Sequence, residues 1–140
     1  MSAAQPKGER CYRHQEHFID VCRKGDTRTA EEMIDQGADV NKRGGGQYMG
    51  NKRGLMPLNW ASYKGHTDTV EMLVRRGADI DAFSNDSTAL SIACEEGHTA
   101  TVEKLADLGA DLGLCRNYSP LYYACRTGRL ATVTLLLDKG

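Results

Sequence analysis

The sequence lacks the features that mark membrane and secreted proteins. Only 6% of the 140 residues are aromatic, only three are proline, and the longest aliphatic run is the three leucines at 135–137. A membrane helix needs about 18 or more consecutive apolar residues, so we expect no membrane span. The first ten residues contain no apolar segment of the kind found in secretory signals, which predicts a cytoplasmic location and leaves the nucleus open.

Charge and cysteine content exclude further classes of protein. Eighteen Lys and Arg against 19 Asp and Glu give a net charge of -1, so nucleic acid and anionic membranes are not expected as main partners. Five cysteines, an odd number, fit a reducing compartment better than a disulfide framework. With 40% hydrophobic and 26% charged residues, the chain has the composition of one ordinary folded domain.

Glycine, by contrast, occurs 15 times and marks an internal repeat. Four glycines are each followed twelve residues later by another, with successive units 40, 32 and 31 residues apart: Gly25 and Gly37, Gly65 and Gly77, Gly97 and Gly109, Gly128 and Gly140. Between the paired glycines, apolar residues recur at i, i+3 and i+4, which predicts one buried helical face in each unit. These residues are Ala30, Met33 and Ile34; Val70, Leu73 and Val74; Val102, Leu105 and Ala106; and Val133, Leu136 and Leu137.

A shorter helix is predicted before the first glycine of each pair. Pro57 and Pro120 stand where the first helical residue would lie, and Thr88 and Ser119 stand where a side chain would cap the helix. Met56 offers no such cap, at an expected cost of about 1 kcal/mol. Each unit therefore consists of a helix, a tight turn, a second helix and an extended finger.

These motifs resemble the ankyrin repeat family. The best-matching segments are GLMPLNWASYKGH at 54–66 and VEMLVRRGADI at 70–80, and the resemblance covers about residues 16–140. It implies an all-α ankyrin-repeat solenoid of four helix-turn-helix units with short β-like fingers, whose concave surface binds other proteins. The histidine of the family's Thr-Pro-Leu-His tetrapeptide is replaced by Asn59, Ser91 and Tyr122, so we expect the network between adjacent turns to be weakened or rebuilt.

The four units differ most at the first finger. We expect residues 1–13 to form a flexible arm and residues 14–140 to form the repeat domain, with units at about 14–40, 41–81, 82–112 and 113–140. The first finger contains about eight extra residues, and the insertion at 42–54 is basic and glycine-rich around Tyr48. Two interpretations remain open: this finger contacts a protein partner, phosphorylated ligand or RNA, or it is a tolerated loop.

The last helix keeps apolar residues that a terminal repeat usually replaces. Leu135 stands at the position held by Glu32, Met72 and Lys104 in the earlier units. We therefore expect that residues 129–140 are covered by a downstream capping segment or by self-association, or that the chain is the N-terminal ankyrin segment of a larger regulatory protein or enzyme.

No arrangement of residues predicts catalysis, and we expect no enzyme and no cofactor. The acids of the three Gly-Ala-Asp motifs, Asp39, Asp79 and Asp111, are predicted turn formers. His66 and His98 follow turn glycines, which favours a turn hydrogen bond over a general base.

The cysteines are interpreted in the same way. Cys22, Cys94 and Cys125 share one register and are predicted to be small core residues, whereas Cys11 and Cys115 fall outside it and are expected to be exposed. Cys11, His14 and His17 are spaced by three residues, but no Cys-x-x-Cys pair accompanies them, so no metal site is predicted.

The predicted functional site is the concave face together with the first finger. Aromatic and arginine side chains are the usual energetic anchors of protein interfaces, and several project here from the inner helices and finger ends. The candidate partner-binding residues are Tyr48, Arg53, Leu55, Trp60, Tyr63, Lys64, Phe83, Glu95, Glu96, Tyr118, Tyr123 and Arg126. For Trp60 and Tyr123 a second interpretation is open, in which they fill the seam between inner helices. We expect a non-catalytic adaptor, scaffold or assembly subunit that binds an intracellular protein.

Overall fold

A computed structural model describes residues 7–44 and 54–140, with side chains described from residue 13 onward. These ranges contain eight α-helices: α1 Lys7–Lys24, α2 Thr27–Asp35, α3 Pro57–Lys64, α4 Thr67–Arg75, α5 Ala89–Glu96, α6 Thr99–Asp107, α7 Pro120–Arg126 and α8 Leu130–Lys139. Consecutive pairs form the four predicted helix-turn-helix units. The all-α solenoid is confirmed.

The helices form two layers. The first helix of each unit contacts the first helices of its neighbours, and the second helices stack in the same way on the outside. The main core lies between the layers and includes the fully buried Phe18, Leu73, Leu90 and Leu105. The predicted helical faces are buried or half-buried, except at Leu137, which is 62% exposed.

The ends of the shorter helices follow the sequence prediction. The Thr88 and Ser119 hydroxyls accept hydrogen bonds from the backbone N–H groups of Ser91 and Tyr122, whereas Met56 makes no side-chain cap. Helix α3 ends at Gly65 in the left-handed conformation, with φ 75°. A Cβ atom there would lie 2.6 Å from the His98 ring, so both conformation and space require glycine.

The opening helix is longer than predicted. It begins at Lys7 rather than His14, so residues 7–13 are helical and only residues 1–6 of the expected arm lie outside the described residues. The lack of apolar periodicity before His14 was a poor guide, because charged straight-chain residues have high helix propensity without an apolar pattern.

The fingers are organised by side-chain hydrogen bonds, as predicted for the Gly-Ala-Asp acids. Carboxylate oxygens of Asp39, Asp79 and Asp111 each accept a bond from the backbone N–H two residues further on. In the third unit, residues 84–87 form a short hairpin in which Ser84 and Ser87 bond each other's backbone. Its two central residues have positive φ, as tight two-residue hairpin turns require.

Hydroxyl pairs rebuild the network between units. Threonine hydroxyls meet in three pairs at 2.8–3.0 Å, linking each outer helix to the next: Thr27 with Thr69, Thr67 with Thr101, and Thr99 with Thr132. The imidazoles of His66 and His98 hydrogen-bond the carbonyls of Arg23 and Tyr63 in the preceding unit. These histidines therefore join units, which goes beyond the local turn role predicted for them.

Ion pairs form a further connection on the outer layer. Arg76 contacts Glu31 and Asp35, Lys104 contacts Glu71, and Lys139 contacts Asp107. In every case a cation of one unit meets an acid of the unit before it. These exposed pairs contribute little individually, but they repeat at each junction between outer helices.

The cysteines that share one register are not all buried, because the one in the last unit is exposed. Cys22 and Cys94 are buried, and burial raises the pKa of each thiol to about 12. Cys125 is exposed, so its predicted core position is wrong. Helix α5 has an inner helix on each side, α3 and α7, whereas among the described residues α7 has one inner-helix neighbour, α5. Cys115 is exposed, as predicted.

The apolar surface of the last helix also differs from the prediction. Leu135 is half-buried and packs against the main core, and its counterpart Met72 is buried within that core. The exposed leucines are instead Leu130 and Leu137, at 79% and 62%. Leu130 takes the place of Thr27, Thr67 and Thr99, so the last unit lacks the hydroxyl that each earlier unit offers to its successor.

Candidate functional site

A second buried cluster lies on the inner helices, separate from the core between the layers. It contains Ile19, Leu55, Trp60 and Ile92, with Tyr63 packed against it. Ile19, Trp60 and Ile92 come from three successive inner helices, and Leu55 precedes α3. The cluster therefore forms an apolar floor beneath the concave face.

Two candidate partner-binding residues belong to this floor rather than to the exposed surface. Leu55 is 4% exposed and Trp60 is 5% exposed. The Trp60 ring meets the Tyr63 ring edge-on, with ring centroids 5.9 Å apart. Trp60 thus fills the seam between inner helices, the second interpretation that its sequence position left open, and Leu55 was wrongly placed on the surface.

Above the floor is a cleft of about 340 Å³, which we call the concave cleft. Helices α3 and α5 and the hairpin at 84–87 form its walls. Its lining residues are Leu55, Tyr63, Ser84, Asn85, Ser87, Ile92, Glu95 and Glu96. The cleft thus brings together four of the predicted site residues: Leu55, Tyr63, Glu95 and Glu96.

The charges around the concave cleft are unevenly paired. Glu95 accepts a hydrogen bond from the Arg126 guanidinium at 2.8 Å. Its neighbour Glu96 is half-buried and makes no ion pair within the described part of the chain. The exposed Lys64 ammonium lies 5.5 Å from the centroid of the Tyr63 ring.

Three tyrosines form a second group on the last unit, which we call the tyrosine cluster: Tyr118, Tyr122 and Tyr123. The Tyr118 and Tyr122 rings stack with centroids 4.3 Å apart, and Tyr123 meets both edge-on. The Arg126 guanidinium lies 5.4 Å from the centroid of the Tyr123 ring. Arg126 therefore connects this cluster to Glu95 at the cleft.

The remaining predicted residues lie at the fingers. The Arg116 guanidinium lies 4.5 Å from the centroid of the Phe83 ring, and it also forms an ion pair with Asp86 at 3.0 Å. Arg43 donates to the Phe83 carbonyl at 2.6 Å, which joins the first finger to the next. Tyr48 and Arg53 lie outside the described residues. The insertion that contains them begins and ends close together, since the Gly44 N–H donates to the Leu55 carbonyl.

Sequence reasoning missed the hairpin side of the cleft. Ser84, Asn85 and Ser87 were not selected because they are small, polar and outside the helical registers. The Asn-Asp dipeptide at 85–86 was an available signal, since these residues tolerate positive φ in tight turns. Sequence alone gave no indication that the turn would border an apolar floor.

The concave site and stacked units define a repeat protein, and comparisons with known proteins identify the class. Two family models match, "Ankyrin repeat" over residues 53–85 and "Ankyrin repeats (3 copies)" over residues 81–140. The chain belongs to the ankyrin repeat family. Ankyrin repeats are generally protein–protein interaction modules, typically non-catalytic.

A zebrafish (Danio rerio) protein named Ankyrin repeat and SOCS box protein 11 is 41% identical over 86 residues. The matched region covers 60% of this chain and 29% of the relative. The match therefore spans less than a third of that relative's length.

Two features of other classes of protein are absent from the described residues. No helix within residues 7–44 and 54–140 is both long and apolar enough to cross a membrane. The same residues contain no group of three or more His, Cys, Asp or Glu side chains placed to hold a metal ion. Of the cysteine and histidine series considered in the sequence, Cys22 is fully buried in the main core, whereas the Cys11 side chain is not described.

Proposed function

We propose that this protein is an adaptor that binds an intracellular protein partner through the concave cleft and the tyrosine cluster. The observation that supports this most directly is the exposed aromatic and charged surface on the inner helices and on the finger that precedes α7. Tyr118 and Tyr122 are 52% and 41% exposed, whereas most apolar side chains of the inner helices are buried. Exposed tyrosines on a rigid support lose little entropy on binding and bury a large area.

The arrangement of charges supports a selective partner. Basic residues precede the turn glycine in the first, second and fourth units, and an acidic pair precedes it in the third. Such alternation favours a partner with the complementary pattern and disfavours others. The zebrafish relative's name combines ankyrin repeats with a SOCS box, which agrees with repeats that act beside another element in one protein.

The test is affinity capture from a cell lysate with the full chain and a concave triple variant, Tyr63→Ala, Phe83→Ala and Tyr118→Ala. A matched control changes three exposed residues of the outer layer to alanine: Gln36, Asp68 and Glu103. We expect the concave variant to lose a protein that the wild type and the control retain. Circular dichroism must show that all three chains are equally folded.

Tyr63 and Phe83 are both half-buried, so a double variant with only the exposed Tyr118→Ala and Tyr122→Ala keeps the test valid if the triple variant unfolds. An unchanged set of captured proteins would contradict the proposal. The basic insertion at 42–54 would then become the next surface to test, with steep salt dependence expected for a phosphorylated or RNA ligand.

A second candidate function, self-association, is supported by the exposed leucines of α8. Leu130 and Leu137, on the last described helix, are 79% and 62% exposed. We propose that this surface pairs with a second copy. The mass measured by sedimentation should then rise with concentration for the wild type but not for Leu130→Thr with Leu137→Lys. A wild-type chain that stays monomeric up to about 100 μM would exclude this role.

A further inference from the structure

We propose that the concave cleft binds an arginine side chain of the partner protein. This inference rests on the proposed function, because it names the chemistry by which the concave surface recognises its partner. It depends on three properties of the cleft: an apolar floor, a half-buried carboxylate without an ion pair at one wall, and an aromatic ring at the other.

The floor suits the aliphatic part of a long side chain. Leu55 and Ile92 are almost fully buried yet line the cleft, so they present apolar surface at its base. Arginine and lysine place their methylene groups along such surface while keeping the charged end in a polar environment. A short acidic side chain would leave this apolar surface uncovered.

The wall of the cleft favours a cation. Both charged lining residues are acidic, and Arg126 already neutralises Glu95 at 2.8 Å. Glu96 makes no ion pair within residues 7–44 and 54–140. The other acid of this region, Asp86, pairs with Arg116 and does not line the cleft. Glu96 is therefore the carboxylate at which an incoming positive charge would gain a partner.

The aromatic wall distinguishes arginine from lysine. Tyr63 lines the same cleft as Glu96, from the neighbouring inner helix α3. A planar guanidinium can stack on an aromatic ring while its N–H groups bond a carboxylate, which a lysine ammonium cannot do in the same geometry. Elsewhere in this chain Arg126 makes this combination, pairing with Glu95 and lying 5.4 Å from the Tyr123 ring centroid. The cleft offers a similar pair of groups to an arginine from outside.

The experiment is an NMR titration of the full ¹⁵N-labelled chain with N-acetyl-L-arginine amide. The same titration with the citrulline analogue, which is uncharged and similar in shape, serves as the ligand control. We expect saturable shifts of backbone signals at Ser84, Asn85 and Glu96, with a dissociation constant of roughly millimolar order for so small a probe. The citrulline analogue should give shifts that do not saturate in the same range.

Two matched variants identify the carboxylate. Glu96→Gln should weaken binding of the arginine probe about fivefold, in keeping with the loss of one partly exposed ion pair. Glu103→Gln, which removes the same charge from the exposed outer helix α6, should leave the dissociation constant unchanged. Equal thermal melts of the wild type and both variants will show that the comparison is valid.

The outcomes separate this inference from the proposed function. Saturable binding that is weakened by Glu96→Gln supports the arginine site even if lysate capture finds no partner. Equal binding by Glu96→Gln and wild type, or shifts spread over all surface carboxylates, overturns it. Capture of a partner that the concave triple variant loses but Glu96→Gln retains at full affinity supports the concave surface as the interface and overturns the arginine site.

Discussion

Units that lie between two neighbouring units bury positions that the last unit exposes, although all the units share one sequence pattern. At the cysteine register, Cys94 is buried in the third unit and Cys125 is exposed in the fourth. At the register of the missing histidine, Ser91 is 3% exposed and Tyr122 is 41% exposed. Burial of a position in this solenoid therefore depends on the neighbouring unit as much as on the residue itself.

The hydrogen bonds between units also distinguish the last unit from the units before it. Thr67 and Thr99 bond hydroxyls of the next outer helix, whereas their counterpart Leu130 is 79% exposed. His98 reaches back to the Tyr63 carbonyl, whereas its counterpart Arg129 places its side chain beside Gly97. The last unit thus receives bonds from the third unit and offers none of the same kind onward within the described residues.

The largest expected difference between the two regions is in thiol reactivity. At pH 8 the Cys125 thiol should react with iodoacetamide at the rate of an exposed cysteine. Cys94 should react at least about 100-fold more slowly, because reaction needs both exposure and the thiolate. Labelling by site can be followed by mass spectrometry of peptides, with the exposed Cys115 as an internal standard.

Equal labelling of Cys94 and Cys125 would show that the third unit opens as readily as the fourth. In denaturant all five thiols of the chain should react, which controls for reagent and detection. The difference between native and denatured rates is therefore the quantity to compare.

The raised thiol pKa also predicts how stability depends on pH. Burial raises the pKa of Cys22 and Cys94 to about 12 from an ordinary value of 9.0, so folding favours the protonated thiol. Their contribution to stability is complete below pH 9 and declines as pH rises from 9 toward 12. Replacing both with alanine should flatten the fall in urea midpoint between pH 8 and pH 10. If the urea midpoint of this variant falls by the same amount as that of the wild type, groups other than these two thiols cause the fall.

Leucine truncation is the next largest effect. Leu90 and Leu121 hold the same register, but Leu90 is 1% exposed whereas Leu121 is half-buried. Leu90→Ala should lower the free energy of unfolding by about 3 kcal/mol, and Leu121→Ala by about half as much, because less contact is lost at a half-buried site. Urea unfolding curves measure both values. Equal losses would mean that the last unit is as tightly packed as the third.

The sequence was sufficient for the repeated elements because their signals are local. The glycine spacing, the i, i+3, i+4 faces and the caps at Thr88 and Ser119 each depend on residues within one unit. The positions that sequence reasoning misplaced are those whose environment comes from another unit. Cys125 lacks a covering helix beside it, and Leu55 is buried against residues of α1 and α5.

The candidate site was predictable in its location but not in its shape. The register placed Tyr63, Glu95 and Glu96 on the inner helices, and the structure brings them together at one cleft. The cleft itself depends on the hairpin at 84–87, whose approach to α3 and α5 is a tertiary contact. No pattern within one unit could indicate that contact.

Substitution of turn glycines should give a smaller difference in stability between an inner unit and the last unit. Gly65 and Gly128 both have positive φ, so alanine at either should cost about 1 kcal/mol in backbone conformation. At Gly65 the new Cβ would also displace the His98 ring, whose bond to the Tyr63 carbonyl is 2.9 Å long, while nothing lies within 4 Å at Gly128. We expect a loss of about 2 kcal/mol for Gly65→Ala and about 1 kcal/mol for Gly128→Ala. Thermal unfolding resolves the two, and equal losses would show that the His98 contact does not stabilise the junction.

The smallest expected effect has the opposite sign and tests whether close coverage by neighbours always favours stability. Ser62 is fully buried at the cysteine register, and its hydroxyl has no hydrogen-bond partner among the described residues. Ser62→Ala should therefore raise the free energy of unfolding, by up to about 1 kcal/mol, since a buried unpaired hydroxyl is costly. The control is Ser91→Ala, which removes a buried hydroxyl 3.0 Å from that of Thr88 and should destabilise by a similar amount. If Ser62→Ala also destabilises, the Ser62 hydroxyl has a partner in solution, and burial in the second unit is less complete than in the third.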